Sequence, residues 1–237
     1  MGLIEKAKRI DMQFKDSNYV KTIKSKLASI DFISPLLFRL ILAPTMIIAG
    51  FNKLNLGNTD VSLLSRLLAD ENVVTWFGNS EWGLGLPFPE LLAFLAGWTE
   101  FLGGWLLLLG LLTRLISIPL IFTMLVAITC VHWHNGWFAI APSSGDSSPA
   151  KVLSWFNIEA AQLSLENSNE VSQRLSKINE IIEMHGFPSY LLEKGSIAIL
   201  NNGIEFAAIY LAMLLSLLFT GGGRFVSLDY WIFKRYR

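Results

Sequence analysis

Apolar residues fall into four long runs, at about 33–51, 86–112, 115–131 and 202–219, separated by stretches rich in polar residues. Each run is close to the ~17 to 25 residues that a helix needs to cross the hydrocarbon core of a bilayer. Only Leu112-Thr113-Arg114 lies at the turn between the second and third runs, so these two helices must form a tight antiparallel hairpin. Pro44 interrupts the first run and Pro119 opens the third. Spanning helices tolerate such prolines where neighbouring helices satisfy the freed backbone groups. The pattern predicts an all-α fold, an integral membrane four-helix bundle with an extracytoplasmic helical loop.

Two further segments repeat at helical spacing. Leu3, Ile4, Ala7, Ile10 and Phe14 recur among lysines, the pattern of a basic amphipathic helix lying on anionic headgroups, with a solvated arm as the alternative. Val171, Leu175, Ile178 and Ile182 recur before Gly186, which predicts a helix that stops at the glycine. Pro142 to Pro149 reads as a flexible connector. The expected organisation is an arm over 1–32, one bundle over 33–220 with loops at 52–85 and 132–201, and a tail over 221–237.

Composition agrees with lipid as the solvent. Hydrophobic residues make up 52% of the chain and charged residues 16%, the latter below the roughly 25% of soluble domains. Net charge is zero, so there is no global field to recruit nucleic acid, and membrane lipid is the first expected partner. Cys130 is the lone cysteine, which excludes an internal disulfide, a CxxC pair and a cysteine-rich metal site, and suits a small packing residue. No apolar run with a small-residue cleavage site precedes Pro35, so no cleavable signal is expected.

Orientation follows from the placement of Lys and Arg. Lys6, Lys8, Arg9, Lys15, Lys21, Lys24 and Lys26 precede the first run, Arg114 lies in the short turn, and Arg224, Lys234, Arg235 and Arg237 follow the fourth. These segments are assigned to the cytoplasm, which places both termini inside. The two long loops are comparatively acidic and belong outside. Trp76, Trp82, Trp133, Trp137 and Trp155 lie in or beside them, as an interfacial aromatic belt requires.

Charges inside spans carry the candidate chemistry, because an ionisable group in hydrocarbon costs at least ~2.5 kcal/mol and needs a partner or a wet cavity. Glu100 lies about 17 Å beyond Pro89 at ~1.5 Å per residue, close to the midplane. Arg39 and Lys53 share one face of the first span, about 21 Å apart. That face also carries Ala43, Met46 and Gly50, and the second span offers Ala93, Gly97 and Gly104 around Glu100. Stripes of small residues let helices approach closely. Packing them together puts Glu100 at a depth between Arg39 and Lys53 and predicts a buried ion pair, with structural and functional roles both open.

At the outer ends stand Glu205, His132 and His134, which with Lys53 and the deeper Glu100 define a candidate outward-facing site. If the third helix continues, the two histidines lie about 200° apart and cannot share one metal, whereas an extended chain turns them to the same side. His-X-His alone lacks the ligands of a closed site, so the metal is left unassigned.

A set of short motifs then arrives in order: Arg39-Leu40, Gly50-Phe51 and Lys53-Leu54; Glu100-Phe101-Leu102-Gly103-Gly104; Gly110-Leu111-Leu112-Thr113-Arg114; Gly221-Gly222-Gly223-Arg224; and Ser227-Leu228-Asp229. With these, the chain resembles the DoxX family of small bacterial membrane proteins from about Ser34 to Asp229, apart from the outer loops. The resemblance implies a four-helix bundle in a bacterial inner (cytoplasmic) membrane. It also implies a link to redox chemistry, since the family is similar to the membrane subunit of thiosulfate:quinone oxidoreductase. A branch found beside copper-binding modified peptides is similar too, and His132-Trp133-His134 suits it. The basic arm and the long third-to-fourth connection depart from the compact members and leave partner choice open.

Three functions follow. The first is a subunit of a membrane oxidoreductase: Glu100 accepts protons, Lys53 or Arg39 stabilises a quinone headgroup, Glu205, His132 and His134 lie at the mouth, and an extracytoplasmic partner supplies electrons. The second is a scaffold or maturation partner for an extracytoplasmic, metal-binding protein or peptide. The third, a small transporter, is disfavoured by the absence of an inverted repeat.

Overall fold

The computed structural model describes residues 18–235. Leu3, Ile4, Ala7, Ile10 and Phe14 lie outside them. In chain order the helices are α1 (Asn18–Ser29), α2 (Ile33–Lys53), α3 (Leu63–Arg66), α4 (Glu71–Gly78), α5 (Pro89–Leu109), α6 (Thr113–Val126), α7 (Ala150–Ser154), α8 (Glu159–His185), α9 (Pro188–Leu191), α10 (Glu205–Thr220) and α11 (Leu228–Arg235). A π-helical turn, Ala127–His132, and a 3-10 turn, Trp133–Asn135, follow α6. Among the described residues, β-structure is limited to two isolated bridges, Leu54 with Ala69 and Ile140 with Leu200.

Among the described residues, three helical stretches are long and apolar enough to cross a membrane: Ile33–Lys53, Pro89–Leu109 and Thr113–Asn135. The fourth apolar run forms a shorter helix, α10, of 16 residues. At ~1.5 Å per residue this spans about 24 Å, short of a hydrocarbon core of about 30 Å. It starts at Glu205 rather than 202 because the preceding backbone is used elsewhere: the amides of Asn201 and Asn202 donate to Ala139 O, and that of Gly203 to Phe138 O. The second span is likewise shorter than 86–112. Phe88, at φ 53°, turns the chain into Pro89 at the first helical position, and Gly110, at φ 65°, closes the helix in the left-handed region.

The chain divides into two compact units, Met1–Met124 with Tyr210–Arg237, and Leu125–Ile209. In the first unit α2 and α5 run antiparallel in close contact. A Cβ on Gly50 would overlap Phe101 N and Gly97 O, and one on Gly104 would lie 2.7 Å from Ile47 N. Only glycine permits this approach, so the small-residue stripes do meet. Leu42, Ala43 and Met46 of α2, Leu107 of α5, Leu120 of α6, and Leu214 and Leu217 of α10 form the buried core. Leu37, Ile48, Leu102 and Phe122 point outward and are exposed. Apolar surface facing outward on helices of this length is the surface of a protein dissolved in lipid.

In the second unit, Val171 and Leu175 of α8 are buried with Ala141 and packed by Ile197 and Ile199. The helix expected there is present and ends at Gly186, which stands at its C-cap. Its other face is polar, with ion pairs Arg174–Glu170 and Lys177–Glu180. Cys130, expected to pack inward, is exposed. It lies two residues beyond the buried Ile128, nearly opposite on the helix surface.

Candidate functional site

Lys53 ends α2, and the loop beyond it folds back to hold that end in place. Asp70 N donates to Lys53 O at 2.9 Å, and Asn55 N to Leu68 O at 3.1 Å. The side chain then reaches inward, against the usual tendency of lysine to extend its ammonium toward water. Its Nζ donates to Glu100 Oε2 at 2.5 Å. The Glu100 side chain is 7% exposed and that of Lys53 25%. The expected ion pair therefore forms through Lys53, inside the small-residue contact of α2 and α5. Phe101, next to Glu100, lies 6.4 Å from the Phe51 ring and 6.0 Å from Trp98. Trp98 is pinned by its Nε1, which donates to Leu67 O at 2.9 Å.

Arg39 takes a different position from the one its shared face with Lys53 suggests. Its guanidinium, in a residue 2% exposed, is turned away from Glu100 toward the other end of α5. Nε donates to Leu107 O at 2.6 Å, Nη2 to Leu108 O at 2.7 Å, and Nη1 to Gly222 O and Val226 O at 2.7 and 3.1 Å. These carbonyls belong to the last turn of α5 and to the glycine-rich segment after α10. Helix C-terminal carbonyls lack intrahelical donors, and a buried cation satisfies them. Arg39 is a clamp across three chain segments.

Asp229 completes the junction and is not among the sequence-derived site residues. Its Oδ1 accepts from Leu112 N at 2.7 Å and its Oδ2 from Thr113 N at 2.9 Å, so it caps α6 from a distant part of the chain. Its own amide donates to Gly110 O at 3.0 Å. The only sequence signal for this role is its place in Ser227-Leu228-Asp229.

The remaining candidates lie in the second unit. Glu205, the first residue of α10, accepts from Ala139 N through Oε2 at 3.0 Å. His132 Nδ1 lies 2.8 Å from Asn202 O, where it donates as the Nδ1-H tautomer. His134 is exposed in the 3-10 turn. The chain here neither continues as α-helix nor extends; a π turn ends at His132 and the 3-10 turn begins at Trp133. Among the described residues, no three His, Cys, Asp or Glu side chains cluster as a metal site.

With this geometry established, residues 34–133 match the family model described as DoxX. That segment is similar to the DoxX family. Comparisons with curated proteins and with solved structures give no match. The matched segment contains Arg39, Lys53, Glu100 and the Thr113-Arg114 turn, and it ends at Trp133. The glycine-rich segment and Asp229 lie beyond it, although they bond directly to Arg39, Leu112 and Thr113 inside it.

Proposed function

We propose that this DoxX-domain membrane protein is the quinone-handling subunit of a redox system, with Lys53 and Glu100 at the quinone headgroup. The observation that carries it is the inward-reaching Lys53 paired with a buried Glu100 beside Phe51, Phe101 and Trp98. One N–H of the ammonium is directed to Glu100, which leaves two more donors for a quinone oxygen. Aromatic rings beside the pair suit a planar, apolar headgroup.

Reduction of a quinone to a quinol takes two electrons and two protons. A partner redox protein supplies the electrons, and no covalent bond of this chain breaks. Negative charge developing on the quinone oxygen is stabilised by Lys53, in a partly buried setting where a fixed charge acts more strongly than in water. Glu100, ionised in the pair, takes up each proton from water that reaches the partly exposed Lys53 and passes it to the reduced quinone oxygen, twice per turnover. Arg39, the alternative headgroup residue, commits four N–H groups to the clamp and is given no part in this chemistry.

The partner is assigned to the second unit, which exposes Trp155, Phe156, Phe187 and Tyr190. The Lys and Arg bias supports a cytoplasmic location of both termini in a bacterial inner membrane, with this unit outside. The same exposed aromatics favour the scaffold reading, in which the second unit docks a protein and the bundle has no redox step. Photo-crosslinking of the purified full chain with an azido-quinone tests the choice. Label in the peptide containing Lys53 or Phe101, lost on adding unlabelled quinone, is the expected result. Label spread over the lipid-facing helices and insensitive to competition overturns the quinone assignment.

A further inference from the structure

At the opposite end of α5 from Lys53, the first unit contains a cavity of about 890 Å³ that the quinone chemistry does not use. It lies where the apolar helices end. Leu112, Arg114 and Leu115 stand at the start of α6, Pro35 near the start of α2, and Thr220 at the end of α10, with Tyr230, Phe233 and Lys234 contributed by α11. The ends of membrane-spanning helices lie at headgroup level. Its polar wall holds three cations, Arg114, Arg224 and Lys234, against two carboxylates, Asp31 and Asp229.

Both carboxylates are committed. Asp229 accepts from Leu112 N and Thr113 N, and Asp31 pairs with Arg224 at 3.4 Å. Arg114 is exposed and lies across Gly221, which stands at φ 76° and whose absent Cβ would fall 3.2 Å from Arg114 Nε. Lys234 Nζ is held 5.2 Å from the Trp231 ring and 5.9 Å from the Tyr230 ring. Leu112, Leu115, Pro35 and Phe233 supply an apolar wall beside the hydroxyls of Thr220, Ser227 and Tyr230.

We infer that this cavity seats the phosphate of an anionic phospholipid, held by Arg114 and Lys234, with its acyl chains running down the exposed face of Leu115 and Ile118. Cationic groups at headgroup depth beside an open apolar wall match a lipid that carries both a net negative charge and a hydrocarbon tail. A free phosphate matches only the charged half of the site. A zwitterionic lipid matches only the apolar half, because its own ammonium offsets the attraction.

Native mass spectrometry of the full chain in detergent tests this, with phosphatidylglycerol, phosphatidylcholine and inorganic phosphate as separate probes. Phosphatidylglycerol adducts should survive activation that strips phosphatidylcholine, and phosphate alone should leave no adduct. Arg114→Gln and Lys234→Gln should each weaken phosphatidylglycerol retention about fivefold, near the effect of one basic residue at a membrane surface, and Arg114→Lys should restore it. Both positions are on the surface, and an unchanged melting temperature checks that the variants fold. Equal retention of the two lipids, adducts with phosphate alone, or variants that retain phosphatidylglycerol like the parent would each overturn the inference. Quinone crosslinking at Lys53 and Phe101 is read separately, so failure at one end of α5 leaves the other test intact.

Discussion

Lys53 Nζ and Glu100 Oε2 lie 2.5 Å apart within the contact of α2 and α5, with Glu100 almost wholly enclosed by protein. A lysine that forgoes water to reach a buried carboxylate makes the two side chains interdependent. Removing either leaves the other charged and unpaired.

Glu100→Gln and Lys53→Met should therefore each destabilise the protein by about 1 to 3 kcal/mol, less than the roughly 3 to 5 kcal/mol of a fully buried pair because Lys53 keeps partial solvent access. The double variant should lose less than the sum of the two. Unfolding of all four proteins in mixed micelles measures the coupling, and strict additivity would mean that the residues do not depend on one another.

Arg39→Lys retains the charge but loses the planar fork that reaches Leu107, Leu108, Gly222 and Val226 together. The expected loss is on the order of 3 kcal/mol, seen as a lower melting temperature and reduced yield from membranes. Quinone affinity of the protein that does fold should be unchanged. A selective loss of quinone binding with normal stability would restore Arg39 as a headgroup residue.

Asp229→Ala should cost about 1 to 2 kcal/mol by leaving the amides of Leu112 and Thr113 without their cap, and Asp229→Asn, which keeps one acceptor, should cost less. Hydrogen exchange at the first turn of α6 is the direct measurement. Protection equal to that of the parent in Asp229→Ala would show that the cap is dispensable.

Much of the fold is legible in the chain because hydrophobic length and small-residue spacing are local properties. Gly50 facing Gly97, and the helix ending at Gly186, follow directly from them. The partner of Arg39 is not legible in this way. Its position on the Lys53 face points to Glu100, but its acceptors are backbone carbonyls, which have no residue-type signature. The cap from Asp229 to Thr113 joins segments far apart in sequence and is equally silent. The start of α10 is missed for a related reason: hydropathy at 202–204 is compatible with a helix, but their amides are engaged by carbonyls of 136, 138 and 139. Cys130 is misjudged because apolar composition does not say which side of a helix faces the core.

Orientation can be tested in cells with Cys130→Ser as the background. Asp146→Cys, at a side chain 91% exposed in the second unit, should react with a membrane-impermeant maleimide in intact cells. Lys234→Cys should react only after the membrane is opened. The reverse pattern would invert the assigned topology.

The central proposal is tested most directly by equilibrium titration of the purified full chain with a short-chain quinone, comparing the parent, Lys53→Met and Glu100→Gln in the same micelles. Saturable binding by the parent, weakened at least about tenfold in both folded variants, is the expected result, since each substitution removes a charge-assisted hydrogen-bonding group from the site. Three superimposable isotherms, or uptake by the parent that rises without saturating like simple partition into detergent, would contradict it.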